Sequence, residues 1–165
     1  MPTRTERRRG SSGVSDRSAF IPRGAIGGGT SFTLEAQLAE PIRGWLEAAG
    51  YRVESEVPIL GRRADLVGAG DDALVAVELK LRDWGEALRQ AIAYQLAADH
   101  AWVAMPLASA ASAYRVRWRF QAEKVGLLAV DDRGTVRTPI PAGISPRLLP
   151  FLRERILAGP PSQPW

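Results

Sequence analysis

No cysteine occurs anywhere in the 165 residues, and there is a single histidine, His100. Disulfides and cysteine zinc sites are thereby excluded, and so is any histidine-rich metal centre. A metal held by this chain has to be oxygen-ligated, which points to magnesium or manganese. Long apolar runs are missing too: the most hydrophobic stretches extend for about ten residues, whereas roughly 20 are needed to span a bilayer. The basic N-terminus has no apolar segment behind it and does not read as a secretory signal. No membrane partner and a cytoplasmic location are therefore expected. Lysine is the third scarcity, for only Lys80 and Lys124 interrupt a basic set of 22 that is otherwise arginine.

What remains is enough for one domain with a proper core: 45% of the residues are hydrophobic. The net charge of +4 is unevenly spread. Six arginines (4, 7, 8, 9, 17 and 23) face only Glu6 and Asp16 in residues 1–30, and the other 135 residues hold 16 basic and 16 acidic side chains. Residues 1–29, rich in Arg, Ser and Gly, read as a flexible basic arm. Such an arm can meet nucleic-acid phosphates or serve only as a solubilising leader. Residues 30–158 form the expected domain, and 159–165 a loose tail.

Hydrophobic periodicity orders the domain. Leu34, Leu38, Ile42, Trp45 and Leu46 make one helical stripe over Ser31–Ala49, with Pro41 inside it as an expected kink or break and Gly50 as the stop. Tyr51–Leu60 and Arg63–Val67 read as strands of a hairpin joined through Gly61-Arg62, and Gly68–Asp72 as a turn. Leu74–Leu81 is a buried strand. A helix is expected over Trp84–Asp99, a strand over Ala101–Met105, and one continuous helix from Ala108 to about Lys124. Strands at Gly126–Val130 and Thr135–Ile140 follow, and Ser145-Pro146 starts a last helix running to about Ala158. The fold class is α/β: a mixed β-sheet flanked by helices.

The chemistry concentrates in the strand Leu74–Leu81. Side chains alternate across a strand, so Val75, Val77, Leu79 and Leu81 share one face while Glu78 and Lys80 share the other. An arginine-rich chain has here placed an ammonium, which can be retuned and can position a water, two residues from a carboxylate. On the preceding strand Asp65 lies between Ala64 and Leu66. An aspartate among apolar neighbours is costly unless it is paired or holds a cation. Asp65 and Glu78 make a two-carboxylate seat for Mg²⁺ or Mn²⁺, with the Leu79 carbonyl as a third oxygen. Lys80 would orient the attacking water or offset charge on a phosphate.

With Ala64-Asp65, a twelve-residue gap and then Glu78-Leu79-Lys80 on consecutive strands, the chain resembles the PD-(D/E)xK nuclease superfamily, the restriction-endonuclease-like fold. Alanine stands where the signature has proline. Glu35 occupies the first-helix position where branches that include Holliday-junction resolvases and several exonucleases carry an additional acidic ligand. Gln90-Ala91-Ile92-Ala93-Tyr94 matches a Gln-x-x-x-Tyr signature of several branches, and its two polar residues are neighbours on one helical face. The similarity spans about residues 31–106 and implies a restriction-endonuclease-like core and metal-dependent hydrolysis of phosphodiester bonds in DNA. It further implies Asp65, Glu78 and Leu79 as metal-binding residues, Glu35 as an auxiliary ligand, Lys80 at the nucleophilic water, and Gln90 and Tyr94 supporting the site. Cutting two strands commonly uses two sites, which makes a homodimer an expected partner state. The alternatives are a non-catalytic nucleic-acid-binding module on the same fold, or a regulatory protein whose carboxylates form a structural ion pair with Lys80 and Arg63.

Other features read as structural. Arg115-Val116-Arg117-Trp118-Arg119 suits phosphate binding and base stacking in composition, but helical periodicity reads it as an amphipathic helix with Val116 and Trp118 in the core. Trp45, Trp84 and Trp102 are also expected in the core, and His100 at the start of a strand. Gly24–Gly29 lacks the Gly-Lys-Ser/Thr ending of a phosphate loop and reads as linker.

Overall fold

A computed structural model of the chain describes residues 32–159; the basic arm and residues 160–165 lie outside the described residues. Six strands lie side by side in chain order in one mixed sheet. They are β1 (Arg52–Ile59), β2 (Arg62–Ala69), β3 (Leu74–Leu79), β4 (His100–Pro106), β5 (Gly126–Val130) and β6 (Val136–Ile140). The β3–β4 and β4–β5 pairs are parallel and the other three antiparallel. The helices are α1 (Ala36–Ala48), α2 (Trp84–Tyr94), α3 (Leu107–Tyr114), α4 (Arg117–Glu123) and α5 (Pro150–Leu157). The α/β class and the mixed sheet flanked by helices are as expected.

Strand alternation divides the core between two faces. Val75, Val77 and Leu79 of β3 pack with Ala104, Leu128 and Val130 against Leu38, Ile42 and Leu46 of α1. All three α1 residues are fully buried, which is worth about 1.5–3 kcal/mol apiece. The opposite face carries Ala101, Val103 and Met105 of β4 against α2, α3 and Phe120 of α4. Leu74 and Ala76 of β3 meet Tyr94 and α5 on that same side. Glu78 therefore points to the α2 face, as the sequence requires.

Several boundaries differ from expectation for identifiable reasons. Pro41 does not divide α1; the single backbone bond it forgoes is outweighed by the unbroken buried stripe on either side. That helix begins at Ala36, because Gln37 Oε1 turns back to accept from Thr33 N at 2.8 Å and Leu34 N at 3.0 Å. The hairpin turns at Leu60 and Gly61, both at positive φ (49° and 76°), so that Ile59 faces Arg62; this is the dihedral signature of a tight primed turn. Strand β2 runs on to Ala69 because Gly68 is a strand residue, where a Cβ would stand 2.9 Å from Val75 Cγ2 and 3.0 Å from Tyr51 Cβ.

On the helical side α2 stops at Tyr94 rather than Asp99. Gln95 is drawn to the Glu123 carbonyl and Arg147, while Asp99 accepts from Leu74 N and from Arg153. The helix expected over Ala108–Lys124 is two helices, broken at Val116 (φ −111°, ψ 27°). Uninterrupted, the buried positions Ala110 and Ala113 would be followed by Arg117; the break turns Arg117 outward while Phe120 stays in the core. The last helix starts at Pro150, not Pro146, after an extended Leu149 that its following proline favours.

Candidate active site

At the C-terminal end of β3 the sheet opens. The β2–β3 ladder runs from Ala69↔Leu74 to Leu66↔Val77 and ends there, while β3 stays paired with β4 through Glu78↔Val103 and Leu79↔Ala104. Asp65 fills the opening: its Oδ2 accepts from Leu79 N at 2.7 Å, in place of the missing ladder partner. The next amide, Lys80 N, donates to Ala104 O at 3.0 Å on the other side. In extended backbone a residue's N–H and C=O leave by the same edge, so the Leu79 carbonyl points toward the Asp65 side. Across from Asp65, β1 is distorted. The ladder skips the Glu56/Asp65 pair, and Glu56 sits at φ 57°, a strained conformation for a side chain of this type.

Glu78 is buried, with 5% of its surface exposed. The Tyr94 hydroxyl lies 2.7 Å from Glu78 Oε2 and 2.9 Å from the Arg63 carbonyl oxygen. A phenol has one proton to give. Both contacts are satisfied together when Glu78 is protonated and donates to Tyr94 Oη, while Tyr94 donates to Arg63 O. Burial, with the Asp65 charge adding to it, pushes the Glu78 carboxyl up to about 7 against the pull of Tyr94 and Lys80. Asp65 is raised as well, by burial and then by Glu56 and Glu35, although the Leu79 N–H opposes this. Tyr94 is shifted upward by burial and by Glu78.

These shifts bear on stability. Glu78 titrates higher in the folded protein than in the unfolded chain, so its neutral form is the one the fold favours. Its contribution is complete below about pH 4.5 and is lost as pH rises through about 7, an upper figure of about 3 kcal/mol. Thermal unfolding followed from pH 5 to pH 8 is expected to show a falling melting temperature; a flat or rising profile would rule out a neutral Glu78.

Lys80 is largely buried, with 18% of its side chain exposed, and lies between two carboxylates: Glu86 Oε2 at 3.1 Å and Glu35 Oε1 at 3.7 Å. Partial burial works against its charge, but the Glu86 hydrogen bond and the charges of Glu35, Glu86 and Glu78 hold it above the ordinary lysine value. It is not tuned down toward a neutral amine; its chemistry is that of a fixed positive charge. Glu35 is exposed at the N-cap of α1, makes no capping bond there, and is free to face Lys80. Glu86 is fixed from behind, since its backbone N–H donates to the Asp83 side chain at the start of α2.

Glu86, Gln90 and Tyr94 are spaced four apart and form one stripe along α2. Its two ends touch Lys80 and Glu78, so Gln90 lies between them. Gln90 Oε1 is buried and has no hydrogen-bond partner among the described residues. The structure thus gathers Asp65, Glu78, Lys80, Tyr94 and Glu35 around the opening, with Gln90 on the stripe that lines it. Two members had not been singled out. Glu86 could have been found from its spacing to Gln90 and Tyr94; Glu56 could not, since its relation to Asp65 depends on a backbone distortion. Arg63, offered above as a structural partner for the carboxylates, pairs with Glu56 at 3.3 Å.

Among the described residues no three His, Cys, Asp or Glu side chains come together as a metal-holding group. The donor set nevertheless fits a small hard cation. Two neighbouring carboxylates are both raised, Glu78 by burial and the charge of Asp65, Asp65 by burial and the charges of Glu56 and Glu35, and a backbone carbonyl points to the same opening. A cation there would relieve the repulsion, and magnesium needs few protein ligands. No family model matches the chain, and no curated protein matches it in sequence. No helix among the described residues is long and apolar enough to cross a membrane.

Proposed function

We propose that this protein is a metal-dependent nuclease that hydrolyses phosphodiester bonds in DNA, in repair, recombination or defence, on a restriction-endonuclease-like core. The observation that carries this reading is the convergence of Asp65 and Glu78, two carboxylates of raised pKa, with Lys80 at the end of β3 where the sheet opens. A purely structural cluster has no need of a buried carboxyl whose ionisation is opposed by burial and by a second acid beside it.

Asp65, Glu78 and the Leu79 carbonyl would hold Mg²⁺ or Mn²⁺. When bound, the cation neutralises charge on the phosphate and acidifies a water. Lys80, protonated and held by Glu86, orients that water and balances the charge that builds as the new P–O bond forms and the ester P–O bond breaks. Tyr94 fixes the carboxylate of Glu78. Glu35 is available as an auxiliary ligand if it leaves its loose 3.7 Å contact with Lys80. Gln90 Oε1, buried and unpartnered among the described residues, would accept a hydrogen from a water enclosed in the site. A homodimer would put two such sites on two strands.

The test is cleavage of a labelled panel of linear, nicked, branched and single-stranded DNA, with RNA alongside, in Mg²⁺ or Mn²⁺. Wild type is expected to cut at least one DNA, and Glu78→Ala and Lys80→Ala to cut none. One observation favours a second reading: Lys80 already has two carboxylate partners, as a structural ion pair would. If nothing is cut while wild type and Glu78→Ala retain DNA equally, a binding module is the better account. Neither cutting nor binding would point to a regulatory protein.

A further inference from the structure

The short helix α4 presents an unusual surface. Trp118 is 67% exposed, opposite to its expected place in the core, and Arg115, Arg117 and Arg119 around it are exposed too. An indole this open leaves a large apolar area in water that a folded protein normally covers. Among the described residues none of the three arginines has a carboxylate within ion-pair distance. Two of the guanidinium groups are instead laid on aromatic rings: Arg117 over Tyr114 at 5.0 Å and Arg119 over Trp84 at 5.2 Å. Stacking of this kind holds an arginine in place without neutralising it. The helix break at Val116 turns Arg117 outward, to the exposed side that Trp118 occupies.

The patch adjoins the candidate active site. Trp84, under Arg119, is the first residue of α2, and Glu86 in the same first turn pairs with Lys80 at 3.1 Å. Behind it, Ser109 of α3 donates to the carbonyl of Leu81, next to Lys80. An exposed ring flanked by unneutralised, pre-positioned cations matches a strand with bare bases and a phosphate backbone. A closed duplex offers phosphates but keeps its base faces covered, so it would leave the indole unused. An acidic protein surface would meet the arginines but would need an apolar pocket beside its carboxylates to cover Trp118, whereas a single strand alternates a base face with a phosphate along its whole length.

We infer that α4 is a docking platform for single-stranded DNA, with an unpaired base stacked on Trp118 and the flanking phosphates held by Arg115 and Arg117. Resting on the nuclease reading, this assigns the substrate class as DNA with an unpaired segment, delivered along Arg119 and Trp84 to Lys80. It is tested without turnover, by fluorescence anisotropy of a labelled oligo-dT and of a blunt duplex of equal length, on the full chain in EDTA. Stacking contributes about 1–3 kcal/mol per base, so Trp118→Ala is expected to weaken oligo-dT binding roughly tenfold or more. Trp118→Phe is expected to keep most of the affinity, and duplex binding to change less than about twofold. Replacing Arg115 and Arg117 by Gln should flatten the salt dependence of oligo-dT binding.

Equal oligo-dT affinity in wild type and Trp118→Ala, with both melting at the same temperature, overturns the platform. So does a preference for duplex, or a Trp118→Ala protein that sediments as monomer where wild type is dimeric, since a second copy would then be what covers the indole. The two readings fail separately. Trp118-dependent binding with no cleavage of any DNA sinks the nuclease and leaves the platform; Glu78-dependent cleavage of single-stranded DNA indifferent to Trp118 does the reverse.

Discussion

Glu78→Gln is expected to remove cleavage while making the folded protein more stable at pH 8. The amide is close to isosteric with the protonated acid. It can donate to Tyr94 Oη while Tyr94 donates to the Arg63 carbonyl, reproducing the arrangement that satisfies both contacts. It carries no charge to be buried, and it ends the mutual repulsion with Asp65. The wild-type carboxylate is ionised at pH 8, above the value of about 7 that burial imposes on it. The gain is therefore largest there, fades as pH falls from about 7 to about 4.5, and is absent below that, where the carboxyl is neutral in the folded and the unfolded chain alike. A shift of this size corresponds to roughly 2–3 kcal/mol, or about 5–10 °C in melting temperature. Activity should move the other way, by at least about 10²–10³-fold, because an uncharged amide cannot neutralise a cation or help hold it against a phosphate.

Metal gives a second readout of the same substitution. A ligand that binds only the folded state stabilises by RT ln(1 + [L]/Kd), about 2.7 kcal/mol at a hundredfold excess over Kd. Mg²⁺ or Mn²⁺ should thus raise the melting temperature of wild type at pH 8 and leave Glu78→Gln almost unmoved. A variant that melts lower than wild type at pH 8 would mean that Glu78 is an ionised structural partner, and the candidate site would lose its basis.

The parts of this site that could be read from sequence are those governed by periodicity. Strand alternation puts Glu78 and Lys80 opposite Val75, Val77 and Leu79, and the structure divides the faces of β3 in that way. Helical spacing sets Gln90 and Tyr94 on one side of α2, and the same rule would have added Glu86. What could not be read depends on competition between distant groups. The end of the β2–β3 ladder, Asp65 standing in for the missing partner and the positive φ of Glu56 are decided by how three strands splay. The break at Val116 is similar, since local propensity favours one helix and it is the charge of Arg117, due on the buried face, that favours two. Trp118, expected in the core, stands on the surface of the short helix that follows the break.

Lys80→Arg and Lys80→Gln together separate the two roles open to the lysine. As a structural cation it bridges Glu86 and Glu35, near Asp65 and Glu78; Lys80→Gln would leave these carboxylates without a counter-charge, a loss of about 1 kcal/mol for a partly exposed pair. Lys80→Arg supplies the charge and the donors, so it should melt within about 2 °C of wild type. The chemical role is more demanding. An ammonium is a compact point charge with three rotatable donors, whereas a guanidinium is a wide planar fork that delivers its hydrogens in fixed directions and fills more of the opening. If Lys80 orients the water that attacks phosphorus, the fork misplaces it, and misplacement of about 1 Å can cost 10²-fold. Single-turnover cleavage is therefore expected to fall by about 10² or more in both variants, with melting temperature lowered only in Lys80→Gln. An arginine variant that cuts at the wild-type rate would reduce Lys80 to charge balance, and the choice of one of only two lysines for this position would then have no chemical reason.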